Sequence, residues 1–367
     1  MYVDHSVKGS ERRRRATVEG VLTIVSDFEQ VLPAEMERFW SLSANKTALQ
    51  QLFIQWILVK TKQTNFDKVL YLGGSHKEND AICLSYTNGS ITKERLLQCY
   101  HEEADDRILF HANHAVRVGE YKSVVLATDD TDIFVCATQH FSKLQTFDLE
   151  ELWFVSGPAS SRTFFPIHSL TQSLEANLSN VLIPLHALSG ADCLSKIGTK
   201  SKALKAGEQY YELLSRFGHG ELTEKMIADA ERFLLKCVTK HEVDTFDELR
   251  YVVYHEKYLK FNVERFPPTS DSIRQHISRG YLQVFKWLYC PFLETIPLNP
   301  LDHGYAKDED GNMFPIISMK PPIPSNFPLP CTCRKCIKVT CKCRMLKIAC
   351  CQYCSCNARS ECKNPFK

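Results

Sequence analysis

Ten of the sixteen cysteines in this 367-residue chain fall between Cys331 and Cys362. They come as C-x-C pairs (Cys331/Cys333, Cys341/Cys343, Cys354/Cys356) with Cys336, Cys350 and Cys362 standing between and after them and Cys351 as a tenth, and no histidine lies among them. A segment so poor in large apolar side chains cannot bury a core, so whatever links its thiols must also fold it. Two linkages are open. A C-x-C pair can donate to neighbouring metal ions and share a bridging thiolate, whereas isolated tetrahedral fingers use wider spacings. A disulfide knot would use the same cysteines in an oxidising compartment. The opening residues, MYVDHSVKGSERRRR, are polar and basic without the apolar core of a secretory signal, and the remaining cysteines (Cys83, Cys99, Cys136, Cys193, Cys237, Cys290) are scattered singly. Both features favour metal.

Charge divides along the chain as cysteine does. From Cys331 onward nine basic residues face one acid, Glu361, so a tail of about +8 is offset by a body of about −6 within a net charge of +2. KPPIPSNFPLP, Lys320 to Pro330, is rich in proline and reads as an extended linker. With 44% apolar and 24% charged residues the body can bury a core. Its longest apolar run, Leu52 to Val59, is interrupted by Gln55 and is too short to span a bilayer, so no membrane partner is expected.

Short apolar runs in the body alternate with helical patterns. VLYLGG (Val69 to Gly74), SVVLAT (Ser123 to Thr128), IFVCAT (Ile133 to Thr138) and ELWFVSG (Glu151 to Gly157) read as strands, and the alternation predicts a largely parallel α/β sheet. Helices are predicted over Asn45 to Thr61, with Asn45 as cap, Asp105 to Val118, Lys202 to Phe217 and Thr223 to Lys240. His111 and His114 stand three apart on one of these. Without a carboxylate to complete a zinc set, His111 is expected to pack inward and His114 to lie at the surface.

Ligands of an open α/β sheet bind beyond the carboxyl ends of its strands. The run TDDTD places Asp129, Asp130 and Asp132 there, directly after SVVLA. Glu102, Glu103 and Asp105 precede the helix leading into that strand, and Asp192 follows VLIPLHALSG. Converging carboxylates repel one another unless a divalent cation compensates them. The same residues could equally serve as a helix N-terminus and a solvated turn. A third reading, a small-ligand or nucleotide site in the body, has no glycine-rich phosphate loop behind it.

The order EEAD (Glu102 to Asp105), TDDTD (Thr128 to Asp132) and SGADCLSKIGTKSKALKA (Ser189 to Ala206) resembles the PIN-like nucleases of the flap endonuclease and 5′ exonuclease superfamily. HEEADDRILFHANHA, ATDDTDIFV, LWFVSG and LIPLHALSGAD together resemble transposon-associated PIN-like proteins that end in a cysteine-rich CXC domain. The resemblance implies a PIN-like parallel sheet flanked by helices with a helical extension. It also implies phosphodiester hydrolysis by two Mg²⁺ or Mn²⁺ ions, held by Glu103, Asp105, Asp130, Asp132 and Asp192. Lys196, Lys200, Lys202 and Lys205 would contact DNA from the opening of a helix–two-turn–helix. The basic run with Arg12 and Arg13 would contact the substrate backbone, serve nuclear import, or be an ordinary solvated charge run. The family's opening strand and its metal-ligand acid have no counterpart here, so catalysis is expected to be impaired and a domesticated, inactive DNA-binding or chromatin adaptor is the alternative.

The tail resembles the tesmin-type CXC domain. That implies about three structural zinc ions on Cys331, Cys333, Cys336, Cys341, Cys343, Cys350, Cys354, Cys356 and Cys362, with Cys351 supernumerary. Nine thiolates and three Zn²⁺ leave the basic tail at about +5, fitting DNA, with Arg344 and Tyr353 as contact candidates by analogy. The expected organisation is a PIN-like α/β domain over 1–192, a helical extension over 193–290, a linker over 291–330 and a zinc-cluster domain over 331–367, in a nuclear protein whose partner is DNA.

Overall fold

A computed structural model describes residues 20–64, 66, 68–74, 83–87, 89–99, 104–257, 266–292, 298–320, 331–347, 349–350, 354–357 and 361–366. The chain divides into two compact units, Met1–Ile317 and Ser318–Lys367. Arg12, Arg13, Glu102, Glu103, Cys351, Tyr353 and most of the proline-rich segment lie outside the described residues.

The first unit opens with helices α1 (Met36–Trp40) and α2 (Ser43–Gln63). Asn45 was expected to cap α2. It lies inside the helix instead, fully buried, where its Oδ1 accepts from Thr23 N–H at 2.7 Å and its Nδ2 donates to Val21 O and Phe39 O at 2.8 and 2.9 Å. A buried amide satisfied on three sides holds the incoming strand-like segment against the helix start.

Two small sheets follow. Strands β1 (Leu70–Gly73), β2 (Cys83–Thr87) and β3 (Ser90–Lys93) form an antiparallel meander with Tyr71 opposite Ser85 and Tyr86 opposite Ile91. Strands β4 (Ser123–Ala127), β5 (Glu151–Ser156) and β6 (Thr163–Pro166) form the second, in the order β4-β5-β6. Only β4 and β5 run parallel among the described strands, with Val125 opposite Trp153, and β6 returns antiparallel with Phe165 opposite Phe154. The expectation of one largely parallel sheet is therefore corrected to a mixed α/β arrangement of small open sheets. Short connections force the antiparallel pairs, because a parallel crossover needs a dozen residues or more.

The run IFVCAT is not a strand. It belongs to α4 (Thr131–Gln145), which follows α3 (Ala104–Arg117) and β4. Ile133, Cys136, Ala137, Phe141 and Leu144 all face the core, a helical rather than an alternating period. Asp130 caps this helix, its carboxylate accepting from Asp132 N–H at 2.8 Å.

After β6 the chain is helical: α5 (Ile167–Ser173), α6 (Ala176–Ser179), α7 (Leu182–Ser189), α8 (Lys200–Gly207), α9 (Tyr211–Arg216), α10 (Glu224–Val238), α11 (Phe246–Lys257) and α12 (Ser270–Tyr289). The single helix expected over Lys202 to Phe217 is broken into α8 and α9 around residue 209. Helix α12 organises the core: Ile273, Ile277, Tyr281, Val284 and Trp287 are buried in the cluster that also holds Leu188, Phe217 and Phe233. Long-range bonds tie it to both halves. His276 Nε2 meets Leu188 O at 2.8 Å, and His140 Nε2 meets Trp287 O at 2.8 Å. Residues 298–317 fold back on the same helix as a hairpin of β7 (Tyr305–Lys307) and β8 (Met313–Pro315), where the Arg279 guanidinium donates to Gly304 O at 3.3 Å and Ile316 O at 2.5 Å.

In the second unit one short helix, α13 (Lys342–Met345), is the only regular element among the described residues. Its core is made of cysteine: eight buried thiols, with Cys333 half-buried against them.

Candidate metal centres

The cysteine core meets the demands of a metal cluster in its sulfur spacings. With Zn–S near 2.3 Å, neighbouring sulfurs of a tetrahedral site stand about 3.8 Å apart, against about 2.0 Å in a disulfide. Cys331 and Cys336 are 3.5 Å apart, Cys336 and Cys350 3.6 Å, Cys343 and Cys354 3.6 Å, and Cys331 and Cys350 4.0 Å. Three sets of four thiols each converge within 4.8 Å: Cys331/336/341/350, Cys331/350/354/356 and Cys336/350/356/362. Cys350 belongs to all three sets, and Cys331, Cys336 and Cys356 to two each, the sharing that bridging thiolates require. Burial pushes the Cys350 thiol up to about 12 and raises Cys331 and Cys336 as well. Such thiols ionise together only beside compensating cations, which a metal ion supplies. The sequence pattern thus resolves in favour of a cysteine cluster compatible with structural zinc.

Polar groups around the cluster hold its loops. Asn364 Nδ2 donates to Cys350 Sγ at 3.1 Å, Ser355 N–H to Cys331 O at 2.9 Å and Lys363 N–H to Lys335 O at 2.8 Å. The guanidinium of Arg344 donates to Cys336 O and Ile337 O. Arg344, named from sequence as a DNA contact, thus clamps a ligand-bearing loop.

In the first unit, β4 delivers Thr128, Asp129 and Asp130 beyond its carboxyl end. Asp129 turns aside: its Oδ1 accepts from Ser156 Oγ and Gly157 N–H, both at 2.7 Å, which locks the exits of β4 and β5 together and lowers its pKa. Asp130 remains at the helix cap. Burial raises its pKa, the Asp132 N–H opposes this, and the charges of Asp105, Asp132 and Asp192 raise it further. The fold therefore gathers acids from α3, the β4 exit, α4 and the loop after α7 closely enough to feel one another's charge. Among the described residues no three of their oxygens close within 4.8 Å, so the group is looser than the thiol sets.

Sequence reading missed His186. Its Nε2 stands 2.7 Å from Asp132 Oδ1, with both side chains largely buried, and its ring lies 5.9 Å from that of Trp287. Lys200, named as a DNA contact, instead directs its ammonium inward: Nζ donates to His186 O at 2.7 Å, to Ser189 Oγ at 3.1 Å and to Gly190 O. The residue as a whole is exposed, yet desolvation lowers its pKa to about 8, against the pull of Asp132 and with the push of Lys196. Gly190 is required here. Its φ is +114°, and a Cβ would stand 2.6 Å from Lys196 Cα. Lys196, Lys202 and Lys205 are exposed.

Of the two helical histidines, His114 departs from its expected surface place. His114 is 8% exposed, whereas His111 is half-buried. No protein-family model, curated protein or solved structure matches the chain. No helix among the described residues is long and apolar enough to cross a membrane.

Proposed function

We propose that the first unit is a PIN-like, divalent-metal-dependent phosphodiesterase acting on DNA, and that the zinc-cluster tail holds it on that substrate in the nucleus. The observation that carries the reading is the gathering of Asp105, Asp130, Asp132 and Asp192 from four parts of the first unit, closely enough for their charges to act on Asp130. These acids stand in the sequence order of the transposon-associated PIN-like nucleases, with Glu103 adjoining them in sequence. Mg²⁺ or Mn²⁺ bound there would supply an activated water and neutralise charge on the scissile phosphate. In this scheme Asp130 and Asp132 hold the cation side by side from the first turn of α4, Asp105 and Asp192 close the site from flanking elements, and Lys196, Lys202 and Lys205 hold the DNA backbone. Basic residues of the tail add electrostatic affinity that salt weakens.

A second reading, a DNA-binding adaptor that does not cleave, is favoured by the 2.7 Å contact of Asp132 with His186, which already occupies one of the acids' oxygens. Calorimetric titration of the zinc-loaded chain with Mn²⁺ separates the two. Saturable binding that Asp130→Ala abolishes supports the phosphodiesterase; no binding leaves the adaptor.

A further inference from the structure

Alongside α3 the first unit holds a cavity of about 800 Å³ between that helix, β1 and β4. We propose that this cavity binds a 5′-mononucleotide. The inference does not rest on the acidic site and holds whether or not the body cleaves DNA.

One wall is polar. Arg107, His111 and His114 recur along one side of α3, and among the described residues lining the cavity there is no carboxylate. Small residues make the space: Ala104, Ala112 and Ala115 on the helix, Gly73 and Gly74 at the end of β1. A Cβ at Gly73 would stand 3.1 Å from His111 Nε2, and one at Gly74 would stand 3.2 Å from an Arg107 Nη1. Larger residues at those two positions would crowd the imidazole and the guanidinium. His114 lines the same wall, with its Nε2 buried behind the surface and without a hydrogen-bond partner among the described residues. Burial keeps both imidazoles neutral, His111 at about 4 and His114 below its ordinary value, so each offers one donor and one acceptor.

The opposite wall suits a base. Val69, Val124 and Val125 line it, with Val125 57% exposed. Tyr71 stands edge-on to His114 with ring centroids 5.6 Å apart, and Tyr121 completes the rim. In the order β4-β5-β6, β4 is the edge strand among the described residues, and Val124 to Ala127 line the cavity. An edge strand can offer donors and acceptors to a base, as aromatic rings match its face. A guanidinium at the other end matches a phosphate. An apolar body, a hydrogen-bonding edge and an anionic end together describe a mononucleotide, and the volume lies in the usual range for such pockets.

Calorimetry on the full zinc-loaded chain tests this with three probes: adenosine 5′-monophosphate, adenosine and inorganic phosphate. One-to-one binding of the monophosphate is expected, with adenosine and phosphate each about tenfold or more weaker. Arg107→Ala and Ala115→Leu should each weaken the monophosphate about tenfold or more. The second adds volume to the cavity without removing a polar group, and circular dichroism establishes that each variant is folded. No heat with the monophosphate at millimolar concentration overturns the proposal. So does equal affinity for phosphate or adenosine alone, or undiminished binding by folded Ala115→Leu.

Discussion

His186 Nε2 lies 2.7 Å from Asp132 Oδ1, joining helices α7 and α4 across 54 residues of sequence. The pair stands beside Asp130 and occupies an oxygen of Asp132 within the acid group. Removing the imidazole leaves that buried oxygen without its partner, a change that costs about 2 kcal/mol in comparable settings. We expect His186→Ala to lose about that much stability in urea unfolding, and Mn²⁺ to restore part of it. Equal stability of variant and wild type would show that the contact does not hold the buried carboxylate in place.

Asp130 does two things that substitution separates. As a cap it accepts from Asp132 N–H; as a carboxylate it is opposed by burial and by three acids. Asparagine caps about as well as aspartate, whereas alanine loses about 1 kcal/mol. Thermal melts without divalent metal should therefore show Asp130→Asn at or above wild type and Asp130→Ala below it. Destabilisation by both to the same extent would contradict the charge reading.

Acid should weaken the first unit through His140 and His276. Burial lowers both from 6.5 to about 4, against the pull of the carbonyls they meet, Trp287 O and Leu188 O. Between those values the unfolded chain binds protons that the folded chain refuses, so stability present above pH 6.5 is lost as pH falls toward 4. The full effect is about 3 kcal/mol for each. Urea unfolding at a series of pH values should give a slope that His276→Gln flattens; an unchanged slope would exclude this source.

The cysteine tail should distinguish its thiols on metal loading. Cys350 belongs to all three convergent sets, while Cys333 belongs to none and is half-buried. Elemental analysis should return about three zinc ions for the wild type, a loss of more than one for Cys350→Ser and of at most one for Cys333→Ser. Zinc-free protein with oxidised thiols would favour disulfides.

Much of this was legible in the sequence for physical reasons. The tail could be read because cysteine spacing is itself the ligand geometry, and β4 and β5 because Asp and Gly punctuate their apolar runs. IFVCAT misled because a short apolar run fits a strand or a buried helix equally, and the Asp130 cap decided it. The first sheet carried a signal that went unread: Asn88-Gly89 between alternating runs marks a hairpin, and Gly89 has φ +83°. His186 and the inward turn of Lys200 could not be read, since each depends on which helix packs opposite. His114 shows the same limit: a polar residue on a helix is placed by its neighbours, here β1 and Tyr71.

The most direct measurement is Mn²⁺-dependent cleavage of flap, single-stranded and duplex DNA by the zinc-loaded chain beside Asp130→Ala. The account predicts cleavage of at least one substrate that depends on Mn²⁺ and falls about a hundredfold or more in the variant. Absence of cleavage on all three, or cleavage undiminished by Asp130→Ala, would contradict it.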